Sequence, residues 1–307
     1  MAASWRVGAI LNESLADTLR FVGWYLEQGA DGLSLFFDNP QDPAIGILER
    51  HPNITCIPCT PAFWVDLGLA QDTRFTKRQN AALTWLYKQV KEDWLLNVDG
   101  DEFLYLEDRD IGELLAGQPG DVDYLSVPTA EIIAIPRPVG RLVFRLPMDR
   151  AAAKRVYGDS KHLFGPRRMG LVGHSQGKSA IRTGLSDVSL RQHWPERRRG
   201  EPMRKQVVGP ECGAYLLHFI GLDYAAWQRK LDWRSGARGF TVPLTEEIRA
   251  AMNASGADER LRALHRDLHM ADDARLARLR VEGRCLELDL DIDALARRHF
   301  GSGFPDS

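Results

Sequence analysis

Cysteine is scarce in this sequence, and no long hydrophobic run is present. Four cysteines in 307 residues are too few for a disulfide scaffold. Cys56 and Cys59 form a Cys-x-x-Cys pair, but they lie in an apolar, strand-like run with no helical pattern after it, which does not favour a redox function. The chain has no basic leader followed by an apolar stretch, and no run of about 18 apolar residues. A cytoplasmic protein without a transmembrane segment is therefore expected.

An excess of charge of one sign is also missing. The 40 basic and 42 acidic residues give a net charge of −2, which identifies no partner. Basic residues concentrate between Arg137 and Lys205, so the rest of the chain is acidic. This distribution would suit a polyanionic small ligand, although a solvated basic surface explains it equally well. No nucleic-acid recognition motif accompanies the basic residues, so nucleic acid is not a predicted partner.

Three carboxylates follow directly after an apolar run at residues 94–98. The run predicts a buried strand, and Asp99, Asp101 and Glu102 come at its end. In extended backbone Asp99 and Asp101 point the same way, and two such charges repel unless a cation lies near them. Mg²⁺ and Mn²⁺ bind through one or two carboxylates together with substrate phosphates. The pattern predicts a divalent-metal site for a nucleotide diphosphate, with a solvated acidic turn as the alternative.

Strands alternate with helices through the first 130 residues. Predicted strands at 5–11, 33–37, 54–57 and 94–98 are separated by helical patterns, and Ser14 is placed to cap the first helix. This order predicts an α/β fold with a doubly wound, mostly parallel sheet. The pattern weakens between residues 131 and 209, where short strands are predicted at 178–182 and 188–193. Residues 245–300 are predicted to be rich in helix.

The order of these motifs resembles the family 2-like glycosyltransferases of the GT-A fold, especially a bacterial subgroup with an Asp-Gly-Asp-Glu-Phe block. The resemblance covers about residues 5–235. The matching pieces are Asn12-Glu13, Asp38-Asn39, the block at 99–103, the segment 177–182, His193, and residues 217–219 followed by a helix with Lys230. It implies a Rossmann-like, mostly parallel sheet flanked by helices, in a domain at 1–240. That domain has a nucleotide half at about 1–130 and an acceptor half at 131–240, and a helical C-terminal extension follows at 241–307.

The resemblance further implies a metal-dependent transferase. Its donor is a nucleotide diphosphate-sugar, either a UDP- or a GDP-sugar, and its acceptor is a carbohydrate or another hydroxyl compound. The cofactor is Mn²⁺ or Mg²⁺, with Asp99, Asp101 and His218 as the expected ligands. The residues expected to bind the nucleotide-sugar are Asn12, Glu13, Asp38, Arg78, Gln79, Asp99, Lys178 and Arg182.

Several roles stay open. Inverting transfer needs a general base, for which Glu131 and Asp187 are the candidates. His218 could instead be an ordinary core histidine, and His193 could be a ligand, an acceptor contact or a packing residue. A sugar nucleotidyltransferase is an alternative function, but residues 12–18 lack the glycine-rich, basic loop expected to hold a triphosphate. A non-catalytic GT-A domain that binds glycans or partners is the second alternative, and the intact Asp-x-Asp motif disfavours it.

Overall fold

The computed structural model describes residues 2–70, 72–136, 140–231 and 239–305. The chain divides into two compact units, which are described separately. Unit 1 comprises residues 1–128, 176–216 and 291–307, and unit 2 comprises residues 129–175 and 217–290. The predicted C-terminal extension is therefore shared, with residues 241–290 in unit 2 and the remainder in unit 1.

The strands, numbered along the chain, are β1 (Trp5–Leu11), β2 (Gly32–Phe37), β3 (Ile54–Pro58), β4 (Trp94–Asn97), β5 (Glu102–Leu106), β6 (Tyr124–Val127), β7 (Thr129–Ile132), β8 (Leu142–Arg145), β9 (Lys178–Arg182), β10 (Val188–Leu190), β11 (Pro195–Arg197), β12 (Lys205–Val207), β13 (Ala214–His218) and β14 (Cys285–Leu288). The helices are α1 (Leu15–Glu27), α2 (Ile45–Leu48), α3 (Pro61–Asp66), α4 (Phe75–Tyr87), α5 (Ile111–Ala116), α6 (Arg150–Tyr157), α7 (Lys161–Phe164), α8 (Tyr224–Arg229), α9 (Val242–Met252), α10 (Ala257–His269), α11 (Asp273–Val281) and α12 (Ile292–Phe300).

A seven-stranded sheet forms the centre of unit 1, in the order β12-β6-β9-β4-β1-β2-β3. The pairs β1–β2, β2–β3, β1–β4 and β12–β6 are parallel, whereas β9 runs antiparallel to both β4 and β6. Strands β2 and β4 are buried along their whole length, as expected for strands covered on both faces. The predicted α/β class, with a parallel-rich sheet flanked by helices, is confirmed.

Helices pack tightly on the strands of unit 1. Helix α4 lies so close to β1 that a Cβ atom on Gly8 would come within 2.8 Å of Leu86. Helix α1 begins at the predicted cap, because the Ser14 hydroxyl accepts a hydrogen bond from the backbone N–H of Asp17. On the same helix, buried Trp24 donates its indole N–H to the Leu104 carbonyl in β5. These contacts fix both helices relative to the strands that they cover.

Unit 2 contains the antiparallel strands β14, β8 and β7, in that order. Strand β14 lies inside the tail that the sequence predicts to be helical, while α9, α10 and α11 confirm most of that prediction. Apolar residues of α6, α7 and α9–α11 share one core, which includes Val156, Phe164 and Ile248. In the part of the chain that the structure describes, no helix is long and apolar enough to span a membrane.

The Cys-x-x-Cys pair lies at the end of β3. Neither cysteine forms a disulfide. Burial raises the pKa of Cys56 to about 11 and that of Cys59 to about 12. Because the thiolate is the reactive form, these thiols are inert near neutral pH, as expected for packing residues of a strand.

Candidate functional site

Acidic side chains collect at one edge of the unit 1 sheet. The parallel strands β1, β2 and β4 end one after another at this edge, followed by Glu13, Asp38 and Asp99 respectively. The N–H of Asp38 donates to the Leu11 carbonyl at 3.0 Å, which fixes the first two strand ends. The carboxyl edge of such a sheet is where α/β proteins place their ligands. We call Glu13, Asp38, Asp99, Asp101 and Glu102 the acidic edge.

Gly100 allows two of these strand ends to come close together. A Cβ atom at position 100 would lie 2.8 Å from Leu11 Cδ2 and 3.2 Å from the Cγ atom of Glu13. A larger residue would therefore push the Asp-Gly-Asp loop away from the end of β1. This contact brings Glu13, as predicted from its strand-end position, next to the loop. Asn12 precedes it and is exposed.

The carboxylate of Asp99 is held by protein donors on both oxygens. Gln79 Nε2 donates to Oδ1 at 2.7 Å, and Lys178 Nζ lies 2.9 Å from Oδ2. The backbone N–H of Asp99 donates to Glu102 Oε2 at 2.8 Å, which closes the loop. The Asp99 side chain still keeps 35% of its surface exposed. Asp99 is therefore fixed in orientation and accessible to a ligand.

Lys178 is a buried cation beside these carboxylates. Strand β9 runs antiparallel to β4, so its first residue lies next to the last residues of β4. The Lys178 ammonium lies 3.6 Å from Glu102 and donates to the Gln192 carbonyl at 2.9 Å. Burial lowers the pKa of Lys178, but the carboxylates of Asp99 and Glu102 raise it more, so the net shift is upward. The ammonium remains charged at neutral pH.

Gln192 is a site residue that the sequence did not reveal. Its Nε2 donates to Gln79 Oε1 at 3.1 Å, and its carbonyl accepts from Lys178. It therefore orients both groups that hold Asp99. Nearby, buried Asn97 donates to the Arg191 carbonyl at 3.0 Å and anchors the same segment. The polar run after β10 carries no motif, so only the fold identifies this role.

Replacing Gln192 with glutamate is expected to disturb the site more than replacing it with alanine. Alanine removes one hydrogen bond, worth about 1 kcal/mol, or roughly a fivefold loss in affinity for a ligand of Asp99. A glutamate carboxylate only accepts hydrogen bonds, so the Gln79 amide would have to turn and present its oxygen to Asp99. Calorimetric titration with UDP and Mn²⁺, the ligands that the sequence predicts for this site, measures both effects. Gln206→Ala, in the exposed strand β12, is the control, and wild-type affinity in Gln192→Glu would contradict the assigned role.

Asp38 forms an ion pair at the end of β2. Arg78 Nη1 lies 2.8 Å from Asp38 Oδ1, and its guanidinium lies over the rings of Trp64 and Phe75, at 5.1 and 5.8 Å from their centroids. Arg78 is in the second turn of α4, one residue before Gln79. Helix α4 therefore supplies a donor to both Asp38 and Asp99, two of the predicted binding residues.

Arg182 and Asp187 lie away from the acidic edge. Arg182 is paired with Trp94, at the opposite end of β4 from Asp99. Its guanidinium donates to the Val122 and Pro119 carbonyls and lies 4.5 Å from the centroid of the Trp94 indole. Asp187 is exposed in the turn before β10, with a left-handed backbone φ of 57°. The structure thus brings Lys178, and not Arg182, to the predicted site.

Glu131 is buried in unit 2 and surrounded by donors. Oε1 accepts from the N–H of Val172 at 3.0 Å and from the Arg145 guanidinium, and Oε2 accepts from the N–H of Gly173 at 2.7 Å. Burial raises the pKa of Glu131, but Arg145, His218 and the backbone donors lower it more, so the net shift is downward. This environment holds Glu131 as a carboxylate in a buried ion pair.

The three predicted histidine and carboxylate ligands of a metal ion are divided between the units. Asp99 and Asp101 belong to unit 1, and His218 belongs to unit 2. Within unit 2 the rings of His218 and His174 lie 5.6 Å apart. His193, in unit 1, has its Nδ1 atom 3.1 Å from the Gly177 carbonyl, so this nitrogen carries the hydrogen. The three-ligand set stays a prediction.

No protein-family model matches the chain, and no curated protein matches it. Among solved structures 78 chains match. HddC from Yersinia pseudotuberculosis is 10% identical, with 74% of this chain and 99% of that chain covered and a TM-score of 0.35. The mannosyltransferase PcManGT from Pyrobaculum calidifontis, in complex with GDP-Man and Mn²⁺, is 12% identical, with 92% and 74% covered and a TM-score of 0.40. The galactosyltransferase LgtC, in complex with donor and acceptor sugar analogs, is 12% identical, with 58% and 57% covered and a TM-score of 0.26. At these values function has to be inferred from the residues of this chain.

Proposed function

We propose that this protein is a glycosyltransferase. It moves a sugar from a nucleotide diphosphate-sugar, a UDP- or GDP-sugar, to a hydroxyl group of a carbohydrate or another acceptor, with Mn²⁺ or Mg²⁺ as cofactor. The observation that carries the proposal is the acidic edge, where Asp99 is fixed by Gln79 and Lys178 at the end of a parallel strand. The resemblance of the Asp-Gly-Asp-Glu-Phe block to family 2-like glycosyltransferases supports the same function.

The charges at the acidic edge fit a divalent cation. Asp99, Asp101 and Glu102 bring three carboxylates to one short segment, and the Lys178 ammonium contacts Asp99 and Glu102. Carboxylates this close in the chain repel one another, and a divalent ion would offset that repulsion. Oxygen ligands of this kind suit Mg²⁺ and Mn²⁺. Asp99 and Asp101 would hold the ion, and His218 remains the predicted third ligand. When bound, the ion offsets the negative charge that develops on the nucleotide diphosphate.

The protein groups around the loop supply binding and charge stabilisation. Lys178 keeps its charge at neutral pH and can stabilise the negative leaving group at no cost of reorganisation, because it is already fixed. At the end of β2, Asp38 and Arg78 offer polar groups for the nucleoside, and the partly exposed ring of Phe75 lies beside them. Glu13 and Asn12 complete the proposed nucleotide site. For the general base, Glu131 and Asp187 stay the candidates.

Product analysis with a panel of nucleotide-sugars, with and without Mn²⁺, tests the proposed function. Release of UDP or GDP, stimulated by the metal and by an acceptor, is the expected result. Release of pyrophosphate from a nucleoside triphosphate and a sugar phosphate would instead identify a nucleotidyltransferase. Binding without turnover would identify a glycan- or nucleotide-binding domain.

Removing either charge of the Asp-x-Asp motif is expected to weaken metal-dependent nucleotide binding strongly. Asp99→Asn and Asp101→Asn keep the side-chain size but remove the charge that a cation needs, so the affinity for UDP with Mn²⁺ should fall at least tenfold, about 1.4 kcal/mol. Calorimetry with and without Mn²⁺ measures this change. Asp108→Asn, at an exposed position after β5, is the matched control. If either test variant binds UDP with Mn²⁺ as tightly as the wild type, the site lies elsewhere.

A further inference from the structure

An open recess of about 530 Å³ lies on the surface of unit 2. Four of its lining residues are basic: Arg150 and Lys154 from α6, and Lys161 and His162 from α7. We call these four residues the basic recess. One acidic side chain, Asp159, also lines it. The recess therefore combines a concave shape with a clear excess of positive charge.

The local fold sets the positions of these cations. Arg150 and Lys154 are four residues apart on α6, so they lie on the same face of the helix. Gly158 ends the helix with a φ of 58°, a left-handed backbone conformation that would be strained in a residue with a side chain. The chain turns at this glycine, so Lys161 and His162 line the same recess. The carboxylate of Asp149 caps α6, and the ring of Tyr157 stacks on Phe164 with 4.3 Å between centroids. Both helices are therefore anchored.

Three exposed arginines of unit 2 that lie outside the recess are paired with carboxylates. Arg155, on the same helix, forms two hydrogen bonds with Glu282, and two further arginines, Arg262 and Arg280, pair with carboxylates. Within the described residues, Arg150, Lys154 and Lys161 take part in no ion pair. Like charges four residues apart on a helix destabilise it. Such an arrangement is costly in the absence of an anion and favourable in its presence.

The histidine of the recess has a defined tautomer. His162 Nδ1 lies 2.7 Å from the Asp159 carbonyl. A carbonyl only accepts, so Nδ1 carries the hydrogen and donates. This bond orients the ring within the recess and leaves Nε2 as the ring nitrogen that can contact a ligand.

We propose that the basic recess binds a phosphate-bearing molecule. A guanidinium fork and lysine ammonium groups are the donors that bind phosphate oxygens most strongly in proteins. The volume lies in the range of small-molecule sites, roughly 300–1,000 Å³, so the ligand is larger than a single phosphate ion. The phosphate can belong to a soluble compound or to a lipid headgroup. All the residues of the basic recess belong to unit 2, whereas the acidic edge consists of residues of unit 1.

Pyrophosphate and vesicles distinguish the two sources. Calorimetric titration with pyrophosphate, in EDTA so that no metal-dependent nucleotide site contributes, probes a soluble ligand. Sedimentation with vesicles of phosphatidylcholine, with and without phosphatidic acid, probes a headgroup. We expect the wild type to bind in at least one of these two measurements. In that measurement the double variant Arg150→Gln with Lys154→Gln should bind with an affinity at least tenfold lower. Binding of pyrophosphate would identify a soluble phosphate compound as the ligand, and binding to vesicles with phosphatidic acid would identify a lipid headgroup.

A second double variant makes the test specific. The double variant Arg249→Gln with Arg260→Gln also removes two positive charges, but from exposed positions of α9 and α10 outside the recess. It should bind pyrophosphate or vesicles like the wild type. Both double variants should retain the wild-type melting temperature and metal-dependent UDP binding. A negative result for the basic recess would therefore leave the proposed glycosyltransferase function untouched. Equal losses in the two double variants, or no binding in either arm, would overturn the proposal.

Discussion

Replacing Lys178 with methionine is expected to lower the free energy of unfolding by about 3–5 kcal/mol, the usual cost of removing one partner from a buried ion pair. Methionine has a similar length but no charge and no donor. Asp99 and Glu102 would lose their counter-ion, and the Gln192 carbonyl would lose its donor. Since Lys178 is wholly buried, solvent cannot replace these bonds. The same change should remove nucleotide binding, because Asp99 would no longer be held.

Urea unfolding followed by tryptophan fluorescence measures the stability change, and UDP titration with Mn²⁺ measures binding. Lys205→Met, in the exposed strand β12, removes the same charge from the surface and should behave like the wild type. A variant at position 178 that unfolds at the wild-type urea concentration would show that the ammonium does not hold the carboxylates in place.

Much of unit 1 could be predicted from the sequence, because its strands are apolar runs bounded by polar residues. Buried strands leave a strong local signal, as residues 94–98 show. Parallel neighbours end at the same edge of a sheet, so Asp38 and Asp99 could be assigned to one site without any knowledge of side-chain contacts. The cap at Ser14 is also a local property, and its position was predicted correctly.

Strand direction could not be predicted, and it decides which basic residue reaches the site. Lys178 and Arg182 are the two ends of β9, and both were predicted to bind the nucleotide-sugar. Because β9 runs antiparallel to β4, Lys178 lies beside Asp99 and Arg182 lies beside Trp94. A parallel β9 would reverse these positions. The choice depends on pairing between distant segments, which leaves no pattern within either strand.

Short strands and single side-chain contacts were missed for related reasons. Strand β5 follows the Asp-Gly-Asp loop at once, so its apolar residues read as a continuation of the motif, and β14 is a four-residue strand between helices. Gln192 acts through Gln79, which is 113 residues away in the sequence. Its role follows from one hydrogen bond between distant segments, and neither its residue type nor its neighbours indicate it.

Replacing Glu131 with glutamine is also expected to cost about 3–5 kcal/mol of unfolding free energy at pH 7. The Glu131 side chain is fully buried, and its two oxygens accept from Arg145 and from the N–H groups of Val172 and Gly173. Glutamine keeps the size but leaves the Arg145 charge unpaired. Its amide also brings N–H donors where the carboxylate offers only acceptors. Glu287→Gln removes the carboxylate of an exposed ion pair with Arg280 in the same unit and should change stability little.

The loss of unfolding free energy caused by Glu131→Gln should become smaller as the pH falls. The folded-state pKa of Glu131 lies below its ordinary value, so its ionised form stabilises the fold at pH values above about 4.3, the ordinary pKa of a glutamate. This contribution is lost as the pH falls from about 4.3 through the lowered folded-state pKa, because the unfolded chain binds the proton first. Urea unfolding of the wild type and of Glu131→Gln between pH 7 and pH 3 measures this loss. The difference between their unfolding free energies should be constant near neutral pH and should become smaller in acid. A difference that stays the same down to pH 3 would contradict the ion-pair assignment. Activity lost at an unchanged unfolding free energy would instead support Glu131 as the general base.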